Sequence, residues 1–141
     1  MSLVCVDASF VLKIVLPETD SESVAAKWEA WQKEGRTVIS PWLFAFEAMA
    51  VLRQKVSRKE LTLKEGQSAC EILWDLGVVL HHHEALWQRA WDLATTYHRP
   101  NIYDTAYLAL AELSNCELWT ADHRFIRSLG GREVRVRGTL I

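Results

Sequence analysis

The stretch VCVDASFVLK, residues 4–13, sets an apolar run against a helical pattern and puts one carboxylate, Asp7, at the junction. Val4, Cys5 and Val6 read as a strand, and the residues after Ala8 read as a helix. Aspartate is a poor strand former and expensive to bury, so it marks the point where the strand ends. A helix N-cap accounts for it locally, because Asp and Ser are both favoured there and Ser9 follows two residues on. Whether Asp7 does more depends on the rest of the chain.

Outward from this junction, short β-like runs alternate with longer helical patterns, and no Gly/Ser-rich linker or internal repeat separates them. That alternation predicts an α/β fold, a central mainly parallel β-sheet flanked by helices, with residues 1–141 as a single domain. Strands are expected at 3–6, 37–39, 78–80 and 117–119, and at 134–136. Ser40 and Pro41 are expected to cap and open the helix WLFAFEAMAVL. Thr62 and Glu65 form a capping box, with Gly77 as the stop. A helix over about 84–98 carries Leu86, Ala90, Leu93 and Tyr97 on one face, and Asn101 is expected to cap the next, IYDTAYLALAEL. In such sheets, ligands bind where the carboxyl ends of strands meet helix starts.

Composition narrows the function. The chain of 141 residues is half hydrophobic and 24% charged, enough for a core without staples and too apolar for disorder. Its apolar runs are broken by Glu47, Asp75 or Asp92 before membrane-spanning length, and no basic leader precedes one, so a soluble cytoplasmic protein without membrane contact is expected. Cys5, Cys70 and Cys116 are odd in number and lack Cys-x-x-Cys spacing, which favours buried free thiols over disulfides or zinc. His81, His82 and His83 follow a strand-like run, where consecutive side chains point to opposite faces and do not easily share an ion. The net charge is −2, yet five Arg from Arg124 to Arg137 against Asp122 and Glu133 leave the tail from Thr120 at +3 and the remainder at −5. That tail is either a phosphate-contacting edge or a solvated surface.

Four acids need explaining. Asp7 falls at the expected binding edge. Glu47 is the only charged residue between Pro41 and Leu52, and its helical neighbours Leu43, Phe44, Ala50 and Val51 are apolar, so it snorkels, finds a partner such as Arg53, or serves a site. Asp104, near the third residue of the helix that Asn101 opens, suits the helix dipole and also lies at the sheet's carboxyl edge. Asp122 follows the fourth strand where a cap for a short helix is expected, with Thr120 as a turn hydroxyl. Together they set four carboxylates and two hydroxyls, Ser9 and Thr120, near one end of one sheet. Clustered carboxylates repel unless protons or cations intervene. An oxygen-only set suits Mg²⁺ or Mn²⁺ rather than Zn²⁺, and the chemistry such ions serve is commonly phosphodiester hydrolysis.

On these residues the chain resembles the PIN-domain family, and within it the VapC-type toxins of prokaryotic toxin–antitoxin pairs. The resemblance rests on VDAS at 6–9, FAFEAMAVL at 44–52, IYDTAYLALA at 102–111 and LWTADHRF at 118–125, in the family's order over nearly the whole chain. It implies Asp7, Glu47, Asp104 and Asp122 as the catalytic, Mg²⁺- or Mn²⁺-binding set, with Ser9 and Thr120 as accompanying polar groups. It further implies endoribonuclease action on RNA, a cognate antitoxin and a homodimer. A non-toxin PIN nuclease and a non-catalytic partner-binding PIN module are the alternatives. A haloacid-dehalogenase-type phosphatase would want a second acid two residues after Asp7, where Ser9 stands. Of seven Trp, Trp28 with Trp31 and Trp87 with Trp91 share helix faces, as core or as a partner surface.

Overall fold

The computed structural model describes residues 2–16 and 20–139. Among them, β1 (Leu3–Val6), β2 (Thr37–Pro41), β3 (Val79–His81), β4 (Leu118–Thr120) and β5 (Val136–Gly138) form one sheet in the order β3-β2-β1-β4-β5. Every pairing is parallel, with Val4 opposite Val38, Val6 opposite Trp119 and Ser40 opposite Leu80. The expected α/β architecture is therefore the observed one. β1 is central, and its Val4, Cys5 and Val6 are fully buried. A strand covered on both faces reads as continuous apolar sequence rather than as alternation, as LVCV does.

From β1 the chain first builds outward through β2 to β3, then returns to the other side of β1 for β4 and β5. The direction reverses between β1 and β4, and the carboxyl ends of those two strands open the crevice where ligands bind in such sheets. Asp7 and Thr120 stand at the two ends.

Seven helices fill the crossovers among the described residues: α1 (Ala8–Val15), α2 (Ser21–Lys33), α3 (Leu43–Ser57), α4 (Leu63–Asp75), α5 (Leu86–Thr96), α6 (Tyr103–Leu113) and α7 (His123–Ser128). α6 lies against β1, β2 and β4 and against α5, and its residues from Tyr107 to Ala111 are all buried. The buried Thr105 hydroxyl donates to the Ala90 carbonyl at 2.9 Å, fixing α6 on α5. Phe10, Trp28, Trp31 and Trp119 form an aromatic cluster with centroids 5.5–6.0 Å apart behind the start of α1. Trp28 and Trp31 are thus core, whereas Trp87 and Trp91 are exposed at 77% and 64%.

Several boundaries differ from expectation. Ser40 and Pro41 do not open α3; they end β2, whose pairing with β3 runs on to Pro41 opposite His81. Ser40 is fully buried, and its hydroxyl donates to the Val6 carbonyl at 2.6 Å, so pairing across the sheet prevails over local capping preference. α6 starts one residue later than expected, which makes Asp104 its second residue; Asn101 still accepts the Tyr103 amide through Oδ1 at 3.0 Å. The strands expected at 78–80, 117–119 and 134–136 sit one or two residues further on. The Thr62–Glu65 capping box is present, and Gly77 follows α4 with φ of +77°. No helix of the described residues is long and apolar enough to cross a membrane.

Candidate functional site

Asp7 occupies the N-cap of α1 in extended backbone conformation, and its Oδ1 accepts the Phe10 amide at 2.9 Å. It is only 7% exposed, and two hydroxyls complete its shell. Ser9 Oγ donates to Oδ1 at 2.7 Å, and Thr120 Oγ1 donates to Oδ2 at 2.5 Å. The same hydroxyls accept backbone amides of the β4–α7 turn: Ala121 N reaches Ser9 Oγ and Asp122 N reaches Thr120 Oγ1, both at 3.0 Å. Each hydroxyl owns one proton, and both protons are directed at Asp7. The 3.2 Å approach of Ser9 to Thr120 is then a contact between two acceptors brought together by a shared carboxylate.

These bonds favour the ionised form, but burial outweighs them. Asp7 is pushed up from the ordinary carboxylate value to about 6, chiefly by desolvation, with the charge of Asp104 adding to the rise. Glu47 is also raised, again by burial first and by Asp104 second, against the hydrogen bond it accepts from Tyr107. The negative charge of Asp104 thus adds to the rise of both acids. One of its own oxygens takes Arg99 Nη2 at 3.0 Å. Asp122 caps α7, its Oδ1 accepting the Phe125 amide at 3.1 Å, and it joins the group through the Thr120 hydroxyl that its amide bonds.

The expected residues thus fall into a tight knot of Asp7, Ser9 and Thr120, a looser pair of Glu47 and Asp104, and Asp122 at the rim. Among the described residues no three His, Cys, Asp or Glu side chains are gathered into a ready metal cage. The donor chemistry nonetheless fits a hard divalent cation: the group is oxygen-only, mutually repulsive and partly desolvated.

Two residues of the group escaped sequence reasoning. Tyr107 follows Asp104 by one helical turn, and a buried hydroxyl needs a partner, which was the available signal. Arg99 reads in sequence only as part of a helix stop. The tail arginines divide: Arg132 lies over the Tyr97 ring, Arg135 donates to the Cys116 carbonyl and Arg137 pairs with Glu117, while Arg124 and Arg127 are exposed on α7. His81 ends β3, and His83 Nδ1 accepts the Ala85 amide. The three cysteines are free thiols.

Known proteins resemble this chain in sequence and in fold. The PIN domain profile matches residues 4–128. Ribonuclease VapC12 of Mycobacterium tuberculosis is 30% identical over 128 residues, covering 91% of this chain and 93% of the relative. Ribonuclease VapC9 of the same organism is 29% identical over 122 residues, covering 86% and 87%. Among solved structures, VapBC2 from Rickettsia felis, bound to a DNA fragment from its promoter, superposes with a TM-score of 0.73 at 13% identity, covering 98% of this chain and 99% of that one. The sarcin–ricin-loop-cleaving toxin VapC20 of Mycobacterium tuberculosis gives 0.66 at 18%, covering 94% and 98%. These two likenesses speak to fold, and the profile with the 30% relative speaks to kinship: the chain belongs to the PIN-domain family.

Proposed function

We propose that this chain is a divalent-cation-dependent endoribonuclease that acts in the cytoplasm as the toxin of a type II toxin–antitoxin pair. The observation that carries the reading is the buried Asp7 at the reversal point of the sheet, held by Ser9 and Thr120 and coupled electrostatically to Asp104. Its relatives named as VapC ribonucleases support the activity and the toxin role.

In this reading Asp7, Asp104, Glu47 and Asp122 would hold Mg²⁺ or Mn²⁺, which would supply positive charge to activate water and neutralise phosphate. The protein contributes position. Three hydrogen bonds fix the Asp7 carboxylate before any ligand arrives, which removes reorganisation from the reacting geometry. Tyr107 holds Glu47 toward the group, and Arg124 and Arg127 on α7 offer charge for a flanking phosphate. For partners, exposed Trp42, Trp87, Ile102 and Tyr103 line one apolar cleft and Trp91 the next. This is the surface assigned to a second copy in the homodimer, with the cognate antitoxin as the other protein partner.

The test is direct. Purified protein, free of antitoxin, is expected to cut single-stranded RNA with Mg²⁺ or Mn²⁺ and to stop with EDTA, and Asp7→Ala is expected to be inactive. Cleavage that survives both EDTA and Asp7→Ala, in protein shown free of contaminating ribonuclease, overturns the mechanism. A chain that binds antitoxin without cleaving any RNA would be a partner-binding module instead.

A further inference from the structure

The fold sets a guanidinium against one member of this acidic group. Arg99 Nη2 donates to Asp104 Oδ2 at 3.0 Å, and the two side chains are only 22% and 28% exposed. The backbone fixes the approach: the Arg99 amide bonds the Ala94 carbonyl at 2.9 Å, and His98 just before it takes a left-handed turn at φ of 54°. The guanidinium lies 5.7 Å from the centre of the Phe125 ring, on the helix that Asp122 caps, so it spans the two acid-bearing elements α6 and α7. Its Nε is buried and has no partner among the described residues.

A buried donor left unpaired is costly, and this one is tolerated in the same arrangement that brings Nη2 to Asp104. The guanidinium thus sets a positive charge directly against Asp104. The Asp104 oxygen that accepts Nη2 is therefore not open to another cation until the guanidinium yields. Beside it a cavity of about 490 Å³, lined by Arg99 with Trp91, Thr95, Asn101 and Tyr103, gives the side chain room to withdraw.

We propose that Arg99 is a built-in counter-ion of Asp104, a positioning residue that stands in for the missing positive charge and sets how much Mg²⁺ or Mn²⁺ is needed to displace it. The inference rests on the reading of the acids as a cation site. It assigns the ion pair a role as competitor, where a structural pair would only hold α6 to the preceding turn. The two roles differ in sign: removing a competitor strengthens cation binding, whereas removing a structural brace weakens it.

Calorimetric titration of Mn²⁺ into the full chain at fixed ionic strength tests this without any turnover. Arg99→Gln and Arg99→Met, the second keeping an apolar stem against Phe125, are both expected to bind Mn²⁺ roughly tenfold tighter than wild type, since a nearby positive charge is lost from a partly screened site. Arg99→Lys keeps the charge and is expected within about threefold of wild type. Circular dichroism on the same samples reports whether each variant is folded, and the folded one of the first two decides. Folded Gln or Met variants that bind Mn²⁺ no tighter than wild type overturn the counter-ion role, as does a Lys variant that binds as tightly as they do. Wild type that takes no Mn²⁺, in protein shown to be folded, instead overturns the cation site itself and the counter-ion role with it.

Discussion

Tyr107 Oη donates to Glu47 Oε1 at 2.7 Å, joining α6 to α3 across 60 residues of sequence. This contact answers the question posed by an acid on an apolar helix face. The compensating partner is not Arg53 on the same helix but a tyrosine one turn past Asp104, 2% exposed and with its own ionisation pushed well above the ordinary range by burial and by Glu47. Removing the hydroxyl leaves a half-buried carboxylate without its donor. Tyr107→Phe is expected to cost roughly 1–2 kcal/mol of folding stability. In a Glu47→Leu background, where the acceptor is already gone, the same change is expected to cost almost nothing. Urea denaturation of the four proteins gives the coupling, and additive losses would show that the two side chains do not depend on each other.

The elevated Asp7 sets a pH dependence with a definite sign. Its folded value of about 6 lies above the unfolded value of 3.8, so ionisation favours unfolding. The stability linked to this group is full below the unfolded value and is lost as pH rises through about 6. The whole shift amounts to about 3 kcal/mol, of which about half is lost above pH 5. In EDTA, the wild type is therefore expected to be less stable to urea at pH 7.5 than at pH 5. Asp7→Asn keeps an oxygen for the Phe10 amide and cannot ionise, so its stability should change less over that interval. Equal pH slopes in the two proteins would place the burden on other groups.

Asp104 reverses an expectation that clustered charge alone would give. Repulsion from Asp7 and Glu47 argues that Asp104→Asn should stabilise the metal-free fold. The Arg99 ion pair argues the opposite, because the variant leaves a mostly buried guanidinium, whose Nε has no partner among the described residues, without its carboxylate. The pair should prevail, and Asp104→Asn is expected to lose roughly 1–2 kcal/mol in EDTA. Thermal unfolding at low and high salt checks this: the loss should shrink as salt screens the pair.

What the sequence could convey divides along the same line, between local and long-range. Alternation of apolar runs with helical periods reveals the parallel α/β sheet, and strand positions fall within two residues of the observed ones, because both signals are local. Ser40 and Pro41 mislead because a favoured cap dipeptide was drawn into pairing with β3, a contact some 40 residues away. Glu47 stands out in sequence as an uncompensated charge, yet its partner Tyr107 lies beyond any helical spacing. Arg99 was hidden more thoroughly. Next to Pro100 it looks like helix punctuation, and only the tertiary approach of the turn to α6 makes it the counterpart of Asp104.

The hierarchy within the Asp7 knot gives the last prediction. Ser9 and Thr120 each donate one proton to Asp7 and accept one turn amide, so losing either hydroxyl removes two hydrogen bonds but no charge. Losing Asp7 removes the carboxylate on which both converge. Thr120 is fully buried, whereas Ser9 is part-exposed, so water more readily replaces the serine hydroxyl. The expected order of ribonuclease activity is wild type, then Ser9→Ala, then Thr120→Val, with Asp7→Ala at background. In free energy, Ser9→Ala should raise the barrier by roughly 1–2 kcal/mol, about a 5- to 30-fold loss of rate, through a less firmly held Asp7 rather than through lost charge. Single-turnover cleavage of one RNA at saturating Mn²⁺ measures this without a contribution from product release. If Ser9→Ala falls to the level of Asp7→Ala while remaining folded, the serine acts on the reacting groups directly and its assignment as a support for Asp7 fails.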